Sequence, residues 1–246
     1  MRIAILTDIH ANREALAAVL ADLAQHAVDR IVLLGDIVGY GPDPAWCVDR
    51  VQALVAAGAV CLLGNHDSAI DRPDGTMNPV ARAAIDWTRG QLDAGQRAFL
   101  ARLPLTHQAE DALFVHASAD HPADWIYVTG ENRVMAAFHA TPARLVLCGH
   151  THVPALWCAD MAGRVSAQRM QMGRPVPLIR SRRWLAVVGS VGQPRDGVAQ
   201  AGWATLDTAR AELTFHRSRY DTATTMRKLR EAGLPEALAV RLGQGR

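Results

Sequence analysis

Ile3-Ala4-Ile5-Leu6-Thr7-Asp8-Ile9-His10 is a run of four apolar residues that breaks into an acid and an imidazole two positions apart. A short apolar run bounded by polar residues reads as a buried strand. The pattern that follows Arg13 to Ala24 is helical, with Leu16, Val19, Leu20 and Leu23 on one face. A second strand is expected at Ile31–Leu34, a helix at Ala45–Ala57 and a third strand at Val60–Leu63. Strand and helix in strict alternation predict an α/β layered fold that begins with parallel pairing.

The abrupt ending of the first strand recurs. Ile31–Leu34 runs into Gly35-Asp36, Val60–Leu63 into Gly64-Asn65-His66-Asp67, Ala112–Val115 into His116, and Leu145–Cys148 into Gly149-His150-Thr151-His152. Ligands of open α/β sheets bind beyond the carboxyl ends of the strands. Five adjacent strand ends would therefore gather Asp8, His10, Asp36, Asn65, His66, His116, His150 and His152. One histidine after one strand is usually structural. Eight such groups at the same end of successive buried strands are not, because unpartnered buried imidazoles and carboxylates are costly. Imidazole, carboxylate and amide oxygen together suit Mn²⁺, Fe or Zn²⁺ better than Ca²⁺ or Mg²⁺.

Further along, Asp71–Leu103 reads as a loop and two helices, about Pro79–Leu92 and Gly95–Leu103, inserted beside the sheet over about 71–104. Strands are expected at Arg144–Cys148, Val153–Cys158, Trp184–Val188, Gly202–Leu206 and Glu212–Arg217, the last two as a hairpin, with a short one at Leu178–Arg180. A helical tail at about 222–242 breaks at Gly233–Pro235. One domain spanning 1–246 accounts for this order. Trp46, Trp87 and Trp125 are assigned to core or insertion packing in preference to a dimer face.

Composition narrows the function classes. The 246 residues are 50% apolar and 20% charged, and 26 basic against 24 acidic side chains leave a net charge of +2. That balance predicts neither a membrane nor a nucleic-acid partner. The arginine groups at Arg180, Arg182 and Arg183 and at Arg217 and Arg219 read as solvated strand edges. No window reaches the roughly 18–20 apolar residues of a bilayer span, and no signal peptide is expected ahead of Asp8. Cys47, Cys61, Cys148 and Cys158 lack C-x-x-C spacing, which fits reduced thiols in a cytoplasmic protein. A serine hydrolase built on Ser118 or Ser190 fails for want of the G-x-S-x-G elbow. A nucleotide-binding domain fails because neither a P-loop nor G-x-G-x-x-G follows the first strand.

The motif series Asp8-x-His10, Gly35-Asp36, Gly64-Asn65-His66-Asp67, His116 and Gly149-His150-Thr151-His152 resembles that of the calcineurin-like metallophosphoesterases in order and spacing. The resemblance implies a four-layer α-β-β-α sandwich of two mixed sheets flanked by helices. It implies two metal ions, Mn, Fe or Zn, one held by Asp8, His10, Asp36 and His152 and one by Asp36, Asn65, His116 and His150. A metal-bridging hydroxide would attack phosphorus, His66 would serve the leaving-group oxygen, and Asp67 would orient the ring of His66. Gly35–Pro44, Val115–Ser118 and Gly189–Asp196 also resemble a bacterial subgroup compared with phosphodiesterases and diadenosine tetraphosphate hydrolases. Ala11 stands where the family often has glycine, and Val188 where the subgroup often has proline. The expected partner is a small phosphorylated substrate, a nucleotide, with Tyr40 placed to stack on a base or pack over the site. Arg195 would grip a phosphate or pair with Asp196, and Asn12 would contact substrate or cap a helix. A phosphomonoesterase or protein phosphatase, and a non-catalytic scaffold of the same fold, are the alternatives.

Overall fold

The computed structural model describes residues 1–72, 75 and 77–246; Pro73, Asp74 and Thr76 of the expected loop lie outside the described residues. In chain order the elements are β1 (Arg2–Leu6), α1 (Arg13–Leu23), β2 (Arg30–Leu33), α2 (Pro44–Ala56), β3 (Val60–Cys61), α3 (Asn65–Ala69), α4 (Pro79–Gln91) and α5 (Ala94–Ala101). There follow β4 (Thr106–Ala109), β5 (Ala112–Val115), a 3-10 turn (Pro122–Asp124), α6 (Glu131–His139), β6 (Leu145–Cys148), β7 (Ala155–Ala159), β8 (Val165–Ala167) and β9 (Pro175–Pro177). The chain closes with β10 (Arg183–Val187), β11 (Ala201–Asp207), β12 (Glu212–Ser218), α7 (Thr222–Glu231) and α8 (Glu236–Gln244).

The strands form two mixed six-stranded sheets, β3-β2-β1-β11-β12-β9 and β4-β5-β6-β10-β7-β8. β1 runs parallel to β2, with Leu6 opposite Leu33, and antiparallel to β11, with Ile5 opposite Ala204. The five motif-bearing strands are thus divided between the sheets. β1, β2 and β3 lie in the first, β5 and β6 in the second, so their ends are not five neighbours of one sheet. They meet because the two sheets face each other.

Alternation along the strands builds the layers. In β1, Ile3 and Ile5 point between the sheets onto Phe114, Leu145, Leu147 and Phe215. Ala4 and Leu6 point outward onto Leu16, Val19 and Val48 of α1 and α2. In β6, Leu145 and Leu147 face inward, while Val146 meets Val134 and Phe138 of α6 on the outer side. Each large apolar side chain so enclosed contributes about 1.5–3 kcal/mol. Helix starts follow capping chemistry: Asn12 Oδ1 accepts from Ala15 N at 3.0 Å, and Asn78 Oδ1 from Ala81 N at 2.9 Å with Pro79 in the first turn. Asn12 is therefore a helix cap, and its amide nitrogen donates to Gly192 O.

Some expectations need correction. The strand expected at Leu178–Arg180 lies instead at Pro175–Pro177, at the sheet edge, where a residue without N–H is tolerated. Arg183 is partly buried, not a free solvated edge residue. It donates to Phe138 O in the last turn of α6 and to Thr141 O and Ala143 O beyond it, and covers the Phe138 ring. Arg217 is likewise mostly buried, against Asp196 and Gln200 O. No helix among the described residues is long and apolar enough to cross a membrane.

Candidate metal centre

All seven expected ligands come together where the strand ends of the two sheets converge. Three groups have donor atoms within 4.8 Å of one another: Asp8, His10 and His152; His10, Asp36 and His66; and Asp36, His116 and His150. The backbone is bent hard to achieve this. Asp8, His10, Asp36, His150 and His152 have φ of 53°, 48°, 53°, 65° and 61°, in the left-handed region. Each such residue costs about 1–3 kcal/mol and persists only where the surroundings enforce it. Here neighbouring loops do so: Asp8 N donates to Gly35 O (3.1 Å), His10 N to Asp36 O (2.9 Å) and Gly192 N to Asp8 O (2.8 Å). Ala11 shares the strained region at φ 50° and is fully buried. Gly149 has no substitute, since a Cβ there would collide with Thr7 Oγ1 and Asp8 Oδ2.

The hydrogen bonds fix which imidazole nitrogens carry lone pairs. A carbonyl oxygen only accepts, so a ring nitrogen beside one must donate. His10 Nδ1 sits 3.1 Å from Val38 O, His152 Nδ1 2.6 Å from Gln193 O, and His116 Nδ1 3.0 Å from Leu34 O. In the neutral rings every Nε2 is then unprotonated. Yet His10 Nε2 and His152 Nε2 face each other at 3.0 Å, with Asp8 Oδ1 3.2 Å from the latter. His116 Nε2 faces Asn65 Oδ1 at 3.1 Å, His150 Nδ1 at 3.2 Å and Asp36 Oδ2 at 3.5 Å. Lone pairs converging on lone pairs repel unless a cation lies among them. Asp8 Oδ1 and His150 Nε2 are also buried without a hydrogen-bond partner. The donor set fits bound metal, with each carbonyl acting as the outer anchor that orients a ligating imidazole.

Electrostatics point the same way. Burial holds the pKa of His10, His116 and His152 below the usual imidazole range and that of His150 down to about 3, favouring the neutral, ligating form. Burial also pushes Asp36 well up, reinforced by Asp67 and Asp8. For Asp8 burial acts upward too, but the surrounding imidazoles, His152 foremost, outweigh it and hold the carboxyl low. Cations at the centre would keep both carboxylates ionised.

The expected site residues around this core divide. His66 is buried, its amide donates to Asp36 Oδ1 at 2.8 Å, and its Nδ1 has no hydrogen-bond partner. Burial, with the neighbouring histidines, keeps its pKa well below the ordinary value. Asp67 does not orient the His66 ring. Its carboxylate accepts from Ile37 N (2.9 Å), Val38 N (3.2 Å) and Gly64 N (3.1 Å), tying the loop after β2 to the loop after β3. Tyr40 packs over the site, its ring 4.7 Å from His10 and 4.4 Å from His66. Ala81 and Ala84 of α4 and Leu229 and Leu238 of α7 and α8 enclose the same tyrosine. Arg195 does not pair with Asp196, which Arg217 takes. It is held by Gln193 Oε1 at 2.7 Å, with its guanidinium 5.8 Å from the Tyr40 ring centre.

Sequence reasoning missed two residues. A hollow of about 290 Å³ opens beside the cluster, with Asn65, His66, His150, Trp125 and Tyr127 among its lining. Tyr127 stacks on His150 at 4.1 Å and 22°, and Trp125 meets His116 edge-on at 5.8 Å. Trp125, assigned above to core or insertion packing, instead lines this hollow. Its position nine residues after His116 is a signal only once the path of the intervening loop is known.

Residues 1–211 match the family model described as the calcineurin-like phosphoesterase superfamily domain. An uncharacterised protein of Methanocaldococcus jannaschii is 32% identical over 250 residues, covering 99% of this chain and 98% of the relative. The crystal structure of a metallophosphoesterase from Sphaerobacter thermophilus is 39% identical, with a TM-score of 0.87 and 100% of both chains covered. A hypothetical protein from Pyrococcus horikoshii has the same fold at a TM-score of 0.79, with 19% identity over 100% of this chain and 98% of that one.

Proposed function

The chain belongs to the calcineurin-like phosphoesterase superfamily, and from that membership we propose that it hydrolyses phosphodiesters at a two-metal centre. The observation that carries the reading is the pair of unprotonated ring nitrogens, His10 Nε2 and His152 Nε2, facing each other at 3.0 Å beside Asp8. Asp8, His10, Asp36 and His152 would hold one ion, and Asp36, Asn65, His116 and His150 the other. Such ions, when bound, acidify water and offset charge on phosphoryl oxygens.

The chain's own side chains do the rest. His66, kept neutral by burial, presents an N–H to the leaving-group oxygen as negative charge develops there. Tyr40 fixes the position of that ring. Arg195 lies on the other flank of Tyr40 and can bind two phosphoryl oxygens at once. A diester suits an arrangement with one guanidinium, since one phosphoryl group carries one negative charge.

The test is hydrolysis of bis(p-nitrophenyl) phosphate and p-nitrophenyl phosphate by metal-stripped protein, before and after Mn²⁺ is restored. The expected result is turnover only with metal, faster on the diester, with two ions per chain by elemental analysis. Full occupancy without turnover by Mn²⁺, Fe²⁺, Co²⁺ or Zn²⁺ would overturn the proposal.

A further inference from the structure

We propose that the 290 Å³ hollow beside the metal cluster is a leaving-group subsite for a nucleoside, and that it excludes a polyphosphate chain. The inference rests on the phosphodiesterase reading and names the group that leaves. His66 and Asn65 form the inner wall of the hollow, so a leaving oxygen served by His66 carries its substituent into this space.

Three features select the substituent. Size comes first: at about 290 Å³ the hollow falls just under the roughly 300–1,000 Å³ of small-molecule pockets, the scale of one nucleoside. The second feature is shape and polarisability. Tyr127 is 50% exposed with one face on His150, and Trp125 stands beside it. Two aromatic side chains, with Met77 and Ala81 in the same lining, offer a stacking surface for a planar ring. Charge is the third. Asp124 is the charged residue of the lining outside the metal cluster, and the described lining contains no lysine or arginine. A polyphosphate would meet repulsion there, whereas a nucleobase can donate N–H groups to the carboxylate. Arg195, whose positive charge acts on His10, Asp36 and His66, is not among the lining residues. The phosphoryl end and the organic end of the substrate are thus sorted by charge, with Arg195 outside the hollow and Asp124 in its lining.

Titration calorimetry of adenosine into metal-loaded protein, repeated on metal-free protein with inorganic tripolyphosphate as the rival probe, tests this without turnover, since adenosine holds no phosphodiester. Adenosine should bind. Trp125→Ala and Tyr127→Ala should each weaken it about tenfold, the scale of one base–aromatic stack, while Tyr127→Phe retains it. Asp124→Lys should lower adenosine affinity and admit tripolyphosphate. Circular dichroism and undiminished uptake of two metal ions establish that each variant is folded. The subsite is refuted if adenosine does not bind, if both alanine variants bind it unchanged, or if tripolyphosphate binds the unaltered hollow more tightly. Diester hydrolysis alongside such a result would leave the phosphodiesterase reading standing, and adenosine binding without hydrolysis would sink that reading alone.

Discussion

Two histidine clusters lie in the first sheet's neighbourhood, and they differ in what their nitrogens face. At the strand ends, His10, His116 and His152 each give Nδ1 to a carbonyl and turn Nε2 toward other electron-pair donors. On the outer face of the first sheet, His216 stacks on Trp203 at 4.1 Å, bonds Thr205 Oγ1 at 2.9 Å, and has His26 edge-on at 5.0 Å. The outer cluster is satisfied by stacking and a hydroxyl that can donate or accept. The inner one is satisfied only by a cation. The number of histidines does not separate a metal centre from an aromatic stack; the partner of the second ring nitrogen does.

Substitutions can break this contrast. Asp36→Asn should have the largest effect, because in the proposed two-metal centre one carboxylate serves both ions. Diester turnover should fall about 10³-fold or more, with loss of metal by elemental analysis. A metal-replete, active variant would contradict the shared carboxylate. His66→Asn should lower kcat about 10²–10⁴-fold while both ions remain bound, separating the leaving-group role from ligation. Gly149→Ala acts through packing. Its Cβ would drive into Thr7 and Asp8, costing about 1–3 kcal/mol in denaturant unfolding and loosening metal binding together.

The smallest effect belongs to the outer cluster. His216→Gln should leave metal content and turnover unchanged. Burial, with His26 adding, lowers the His216 pKa to about 4, below its unfolded value of about 6.5. Between pH 6.5 and 4 the unfolded chain takes up a proton that the folded chain refuses, so stability falls as pH falls through that window. Denaturant melts of metal-free protein at pH 7 and 5 should show a smaller pH-dependent loss in the glutamine variant. An equal loss would mean that His216 does not resist protonation in the fold.

The fold's interior was legible because buried strands such as Ile3–Leu6 and Leu145–Cys148 carry a dense apolar signal bounded by glycine or acid. The ligand residues were legible for the same reason, each standing directly after such a run. Three of the four sheet edges were not. β4, β8 and β9 are all edge strands, short and partly polar, and Pro175-Val176-Pro177 reads as loop until an edge is known to accept proline. Asp67 misled because adjacency to His66 suggested contact, whereas the first turn of α3 turns its carboxylate toward three backbone amides. Trp125 and Tyr127 sit on a loop, where period carries no information about which side chains meet a distant strand end.

The placement of β1 between β2 and β11 has a consequence for biosynthesis. Its first neighbour is made within thirty-odd residues, but its second only when the ribosome reaches Ala201–Asp207. At about 5–20 residues per second, one edge of β1 stays open for about ten seconds or more. Gly192 and Gln193, which brace Asp8 and His152, emerge just as late. The nascent chain therefore displays its imidazoles before it can arrange them. The full set of side chains closes into one site only near the end of synthesis, when β11 can join β1.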